Sequence, residues 1–339
     1  MSSSTAAEIE KVRHHLGGNL VIDDLSMSIP SGSIHGLIGP NGSGKTTTMR
    51  LLLRIYDPDE GTVRVFGESG GRSDQLRIGY LPEERGLYPR MTVEKTLLFF
   101  AKLRGVEDGK AEMQRWLERL GVTDWSGKRV EQLSKGMGQK IQFIAAAMGK
   151  PRLVILDEPF SGLDPVNLDL LREAVKQLRD EGTTVILSTH DMAVAQQMCD
   201  RVAMIYRGRK VLDGDIQSIR REYGAPRLRI QLGASDGAAV EPGTGTDEKE
   251  PGRNGSKQSK MKEAVASALT SMHGVNVLAA ADHESVEVSL EDINHRGEVL
   301  QKLSGQFDVE TFETVRPSLH DIFVQIAGPE ATQNPSPEA

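Results

Sequence analysis

The sequence holds a single cysteine, Cys199, in 339 residues. A lone thiol cannot close an internal disulfide, and a reducing compartment fits. Cys199 falls in the helix-like segment MAVAQQMC and reads as a small buried residue rather than a reactive one. Positive charge is not in excess either. Lys and Arg number 41 against 48 Asp and Glu, for a net charge of −7. That balance speaks against a nucleic-acid binder, whose affinity rests on cations meeting phosphates. No apolar run approaches the roughly 18–20 residues that span a bilayer. The longest, such as LVIL at 153–156, have the length of buried strands. The stretch MSSSTAAEIEKVRHH carries no hydrophobic segment, so no secretory signal is expected in it. Neither an internal repeat nor a heptad run is present.

What the sequence does have is alternation. Its length suggests about two domains. Over residues 1–222, short Ile-, Val- and Leu-rich segments alternate with helix-like ones. SIHGLIG, RLVILDE, TTVILST and RVAMIY read as strands buried on both faces of a parallel sheet. KTTTMRLLLRI, PVNLDLLREAVKQLRDEG and DMAVAQQM read as helices. The second is well marked. Asp164 can cap it, Pro165 suits its first turn, and Leu168, Leu171, Val175 and Leu178 share a face. This pattern predicts a doubly wound α/β domain. A mainly helical insert at about 86–150 interrupts it. After Tyr223 the pattern predicts a second, smaller α+β domain over 223–328, a βαββαβ sandwich with a last helix. Residues 235–260 are Gly, Pro and charge with little apolar content, and are expected to be disordered. The Pro-containing tail 329–339 is expected to be mobile.

GPNGSGKTT at 39–47 fits the pattern G-x-x-x-x-G-K-[ST]. Gly39, Gly42 and Gly44 let backbone N–H groups turn inward around phosphates, with Pro40, Asn41 and Ser43 between them. The helix that follows from Lys45 points its amides at the same anion. Lys45 adds a charge at the β- and γ-phosphates. Thr46 offers a hydroxyl to Mg²⁺, and Thr47 continues the first turn. LVILDEP ends a strand in two carboxylates. Asp157 is placed to hold Mg²⁺ through water, and Glu158 to orient or deprotonate an attacking water. TVILSTH ends another strand at His190, on the same ligand edge of the sheet, where it could contact the γ-phosphate.

With GPNGSGKT, LSKGM, LVILDEP, SGLD and STH in this order, residues 8–222 resemble the nucleotide-binding subunit of ABC transporters. The resemblance implies a P-loop ATPase core with a helical subdomain. It assigns Gly39–Thr46 to the Walker A loop, Asp157 and Glu158 to Walker B, Ser161–Asp164 to the D-loop, and His190 to the switch histidine. Ser134 and Gly136 match the signature loop. In this family the signature loop closes over ATP held by a second ATP-binding subunit, so a homodimer or heterodimer is implied. So are ATP and Mg²⁺, separate transmembrane permease subunits, and a place at the cytoplasmic face of the cell membrane.

Three positions depart from the family pattern. Glu83 stands for the usual Q-loop glutamine and could still face the metal. Lys135 and Met137 replace a glycine and a glutamine of the signature. The adenine-stacking aromatic falls near Leu16, where His14 or His15 could substitute. The segments IGYLPEERGLYPRMTVEKTLLFFAKLRG and PSLHDIFVQIAG are similar to ATPases of type-two exporters. Those include sodium-extrusion and drug-efflux members with a C-terminal addition, and imply ions, drugs or lipids as cargo. The alternative is a soluble ABC-type ATPase acting on a ribosome or DNA. The C-terminal domain reads as a packing or dimerisation module, with a ligand sensor as the alternative.

Overall fold

The computed structural model describes residues 4–67, 76–84, 86–223, 227–232, 264–269, 272–278 and 285–328. The expected disordered insert 235–260 and mobile tail 329–339 lie outside the described residues. The chain divides into two compact units. The first runs to Ile219 and takes in the chain again from Phe323; the second is Arg220–Ile322.

The first unit begins with an element the α/β alternation did not predict. Strands β1 (Thr5–Leu16) and β2 (Asn19–Pro30) form a long antiparallel hairpin. Its turn, Gly17–Gly18, has φ of 59° and 84°, as a tight hairpin turn requires. Two strand-length segments of mixed polarity look like neither a buried parallel strand nor a helix. They settle only by pairing, here also with β4 (Glu60–Val65), in the order β2-β1-β4. Ile9, Val12, Ile22, Leu25 and Ile29 face inward and pack on the main sheet.

That main sheet has six strands in the order β5-β6-β7-β3-β8-β9. The strands are β3 (Ile34–Ile38), β5 (Ile78–Leu81), β6 (Leu153–Leu156), β7 (Thr184–Thr189), β8 (Arg201–Tyr206) and β9 (Arg209–Asp215). All neighbours are parallel except β8 and β9. Every residue of β3, β6 and β7 is buried, which is why their sequences are rich in Ile, Val and Leu, with β6 apolar throughout. Helix α1 (Lys45–Leu52) leaves the end of β3 through the glycine loop. Between β5 and β6 lie α2 (Val93–Leu103), α3 (Gly109–Arg119) and α4 (Lys135–Ala147). Trp116 meets Phe143 edge-on at 5.8 Å and ties α3 to α4. Helix α5 (Pro165–Asp180) buries Leu171, Ala174, Val175 and Leu178, and α6 (Met192–Met198) follows β7.

The second unit pairs β10 (Arg227–Leu232), β11 (Val275–Leu278), β12 (Ser285–Leu290) and β13 (Val309–Val315) in the order β11-β12-β10-β13, all antiparallel. Residues 264–269 are helical, and α7 (Arg296–Ser304) is the second helix. Leu228, Ile230, Val265, Leu269, Val288, Val299 and Leu303 form its core.

His35, in the middle of β3, is fully buried, and neither ring nitrogen has a hydrogen-bond partner among the described residues. Burial pushes its pKa down from 6.5 to about 4; nearby Asp213 opposes the shift and Arg201 adds to it. Below pH 6.5 the unfolded chain takes up a proton here that the folded chain refuses until about pH 4. Stability contributed at neutral pH is therefore lost as pH falls through that window, up to about 3 kcal/mol. The melting temperature of the His35→Leu variant should fall less between pH 6.5 and 4 than that of the wild type. An equal fall would remove His35 as the cause.

Candidate active site

The loop between β3 and α1 is shaped by close backbone approaches. Gly39 has φ 152°, and a Cβ there would lie 2.1 Å from the Ile205 carbonyl oxygen. Gly44 has φ 107°, and a Cβ there would lie 2.8 Å from Ile22 Cδ1. Only glycine fits either position. The Gly208 N–H donates to the Ser43 carbonyl at 3.0 Å and fixes the loop from outside. Lys45 is buried, and its Nζ donates to the carbonyls of Gly39 at 2.9 Å and Pro40 at 3.1 Å. Burial lowers its pKa, and the carboxylates of Glu158, Asp157 and Glu83 oppose that shift. A desolvated ammonium at the end of a glycine loop is placed to meet an anion. Asn41 and Gly42 are exposed at the tip, and Thr46 and Thr47 occupy the first turn of α1.

The two carboxylates are set by the parallel pairing of β6 with β7. Leu156 is opposite Leu187, so the residues that follow, Asp157–Glu158 and Ser188–His190, share one edge. Ser188 Oγ donates to Asp157 Oδ1 at 2.5 Å and accepts from the Glu158 N–H at 2.9 Å. Sequence reasoning missed Ser188; the signal was its place at the end of β7, next to the acidic pair. Asp157 Oδ2 and Ser43 Oγ are buried without a partner among the described residues. A buried carboxylate oxygen without a donor suits a hard divalent cation.

Glu158 has φ 46°, left-handed for a non-glycine residue, a strain of roughly 1–2 kcal/mol. The surroundings hold it there. The His190 N–H donates to Glu158 Oε1 at 3.0 Å, and His190 Nδ1 lies 2.9 Å from the same oxygen. Gln139 Nε2 donates to the Pro159 carbonyl at 3.1 Å, linking α4 to this turn. Gln139 was also absent from the residues read in the sequence.

Ser134 caps α4, with its Oγ accepting from the Met137 N–H at 3.3 Å. Gly136 packs on the Ser161–Asp164 turn; a Cβ there would lie 3.2 Å from Leu163 Cδ2. The Lys135 stem lies along Gly162, and Met137 packs against the core. Both departures thus have an internal structural use. Asp164 caps α5, and hydrogen bonds from the Asn167 backbone and side chain lower its carboxyl pKa. Glu83 is exposed on the loop after β5; next to it, the Glu84 carbonyl accepts from Gln142 Nε2 at 3.1 Å. His14 is buried and stacks on Tyr56, with centroids 5.3 Å apart, so it is not free to meet a base. His15 is exposed, and its Nδ1 lies 2.8 Å from Asp59 Oδ2. Leu16 is exposed beside it.

Comparison with known proteins shows the family. A family model described as ABC transporter matches residues 22–161. A second, described as the C-terminal domain of DrrA1-3-like ATP-binding proteins, matches residues 252–327. The uncharacterized ABC transporter ATP-binding protein YhaQ of Bacillus subtilis (strain 168) is 37% identical over 323 residues, spanning 94% of this chain and 98% of its own length. The Nod factor export ATP-binding protein I of Paraburkholderia xenovorans (strain LB400) is 37% identical, over 66% of this chain and 76% of its own. A solved structure titled "Structure of ATP binding subunit of ABC transporter" superposes with a TM-score of 0.60 at 30% identity, covering 65% of this chain and 93% of that one. Matched along nearly its whole length to such a relative, and built around a glycine loop facing two carboxylates, the chain belongs to the ATP-binding proteins of ABC transporters, whose ATP-binding domains hydrolyse ATP.

Proposed function

We propose that this subunit powers an exporter, at the cytoplasmic face of the cell membrane, through separate permease subunits. The observation that carries the reading is its 37% identity to a protein named for Nod factor export. An exposed aromatic patch supports a partner on the helical subdomain. Tyr88, Phe99 and Leu103 are 49%, 38% and 55% exposed, and Tyr88 meets Phe99 edge-on at 5.5 Å. Such a patch is costly in water and suits a permanent neighbour. Among the described residues, no helix is long and apolar enough to cross a membrane.

The glycine loop, from Gly39 to Thr47, wraps the phosphates, and Lys45 neutralises them. Thr46 and Asp157, with Glu83 nearby, are the residues that would hold Mg²⁺, which when bound screens the charge on the phosphates. The donorless Oδ2 of Asp157 supports that assignment. Glu158 accepts the proton of the attacking water, and His190, tied to its carboxylate, senses the γ-phosphate. Ser134, Gly136 and Asp164 are proposed to complete the site of a second ATP-binding subunit. His15 and Leu16 are the exposed side chains left for the base.

The full-length chain, purified gently from membranes, should bring with it a polytopic membrane protein and be released from ribosomes and DNA. Sedimentation with either nucleic-acid assembly, and no membrane partner, would replace this reading by that of a soluble ATPase. The relatives named as transporter proteins do not favour that alternative.

A further inference from the structure

Helix α4 buries every residue from Gly138 to Ala147. Among them are Gln139 and Gln142, only 6% and 4% exposed. Glutamine is mostly found at the surface. Burying its amide costs free energy unless the amide is hydrogen-bonded. The two glutamines are one turn apart and share a side of the helix.

Each finds its partner on a loop of the candidate active site. Gln139 Nε2 donates to the Pro159 carbonyl, in the turn that follows Glu158. Gln142 Nε2 donates to the Glu84 carbonyl at 3.1 Å, in the loop that follows β5. At Gly86 the same loop passes close to that amide again. A Cβ there would lie 3.2 Å from Pro82 Cγ and 4.0 Å from Gln142 Nε2.

What the second bond holds in place is Glu83. Strands β5 and β6 pair in parallel with Leu81 opposite Leu156, so Glu83 follows β5 as Glu158 follows β6. The Asp157 N–H donates to the Leu81 carbonyl at 2.8 Å and draws the two strand ends together. The charge on Glu83 is felt at Lys45, where it opposes the lowering of the ammonium pKa. The Glu83 carboxylate is exposed, and among the described residues no hydrogen bond or ion pair holds it. Its place therefore rests on the loop backbone, and that backbone is tied to α4 at the very next residue.

We infer that Gln142 is a positioning residue for the phosphate site: by holding the Glu84 carbonyl it keeps Glu83 facing the place of the metal, while Gln139 fixes the same helix to the Glu158 turn. This rests on the reading of Glu83 given above. The Gln142 amide is buried and must be bonded, so it holds the loop from the protein side. Without that donor, the carbonyl of exposed Glu84 would turn to water, and Glu83 would sample positions away from Lys45.

The test is a double-variant cycle read in nucleotide affinity rather than in turnover. The full-length chain is titrated with mant-AMP-PNP, a fluorescent ATP analogue that resists hydrolysis, once in Mg²⁺ and once in EDTA. A carboxylate beside the phosphates repels them without the metal and helps to hold the metal when it is there. Glu83→Ala should therefore shrink the gain in affinity that Mg²⁺ brings, by about tenfold. Gln142→Met, of similar volume but without a donor, should shrink it by about three- to tenfold, the worth of one hydrogen bond. The two together should do no more than Glu83→Ala alone, because one acts through the other. Gln142→Leu repeats the cycle if the methionine variant folds poorly. The inference falls if Glu83→Ala shrinks the gain and Gln142→Met does not. It falls equally if the two losses add, as a general loosening of α4 would make them. An unchanged gain in Glu83→Ala overturns the reading of Glu83 itself, and this inference with it.

Discussion

The Glu158→Gln variant should bind ATP and fail to turn it over. Glutamine has the shape of glutamate, and its side-chain oxygen can still accept from the His190 N–H, which now lies 3.0 Å from Oε1. The contacts of Lys45 with Gly39 and Pro40, and of Asp157 with Ser188, do not involve this carboxylate. What is lost is the proton acceptor. Removing a positioned general base costs ~10²–10⁴-fold in rate. Steady-state phosphate release should fall by that much, while nucleotide affinity persists. If two copies close around ATP, the variant should also accumulate as an ATP-dependent dimer on size-exclusion chromatography. Hydrolysis at the wild-type rate would exclude Glu158 as the base. Loss of ATP binding would mean that the strained turn at φ 46° had collapsed.

Ser134→Arg should separate binding from hydrolysis in a different way. Ser134 is exposed and caps α4 through the Met137 N–H. Losing a cap costs ~1 kcal/mol, too little to unfold the unit. Nothing about Ser134 touches the glycine loop of its own chain, so a single subunit should bind ATP as before. The arginine would project a long side chain where a second subunit's nucleotide is proposed to lie. Hydrolysis by the assembled protein should then be abolished, as read by phosphate release at high protein concentration. Ser134→Thr keeps the cap and a hydroxyl and should retain most of the rate. Full hydrolysis by Ser134→Arg would overturn the pairing. An equal loss in Ser134→Thr would point to packing rather than to anion contact.

Much of the site was legible because phosphate chemistry demands local residues at fixed spacing. Gly39, Gly44, Lys45 and Thr46 lie within eight positions, and the loop they form is a local structure. Strands β3, β6, β7 and β8 were legible because burial on both faces favours Ile, Val, Leu and other apolar residues along most of each strand. Helix α5 was legible from Asp164, Pro165 and the spacing of its buried face. The long β1–β2 hairpin was not, because strands of mixed polarity carry no helical or continuous apolar signature. Their identity rests on pairing with residues up to Val65. The roles of Lys135 and Met137 were hidden for a similar reason. Their packing on Gly162 and on the core joins residues more than twenty positions apart or on different elements.

By itself, then, the sequence determined the chemistry proposed here: the glycine loop offered to an anion, and the two carboxylates offered beside it. Those are properties of residue type and near spacing. The tertiary structure decided how that chemistry is held. It set Ser188 between Asp157 and Glu158, joined His190 to Glu158, and took His14 away from the base by stacking it on Tyr56. Each of these is a contact across strands or helices, and the register that makes it is set by packing of the whole core rather than by any local run of residues.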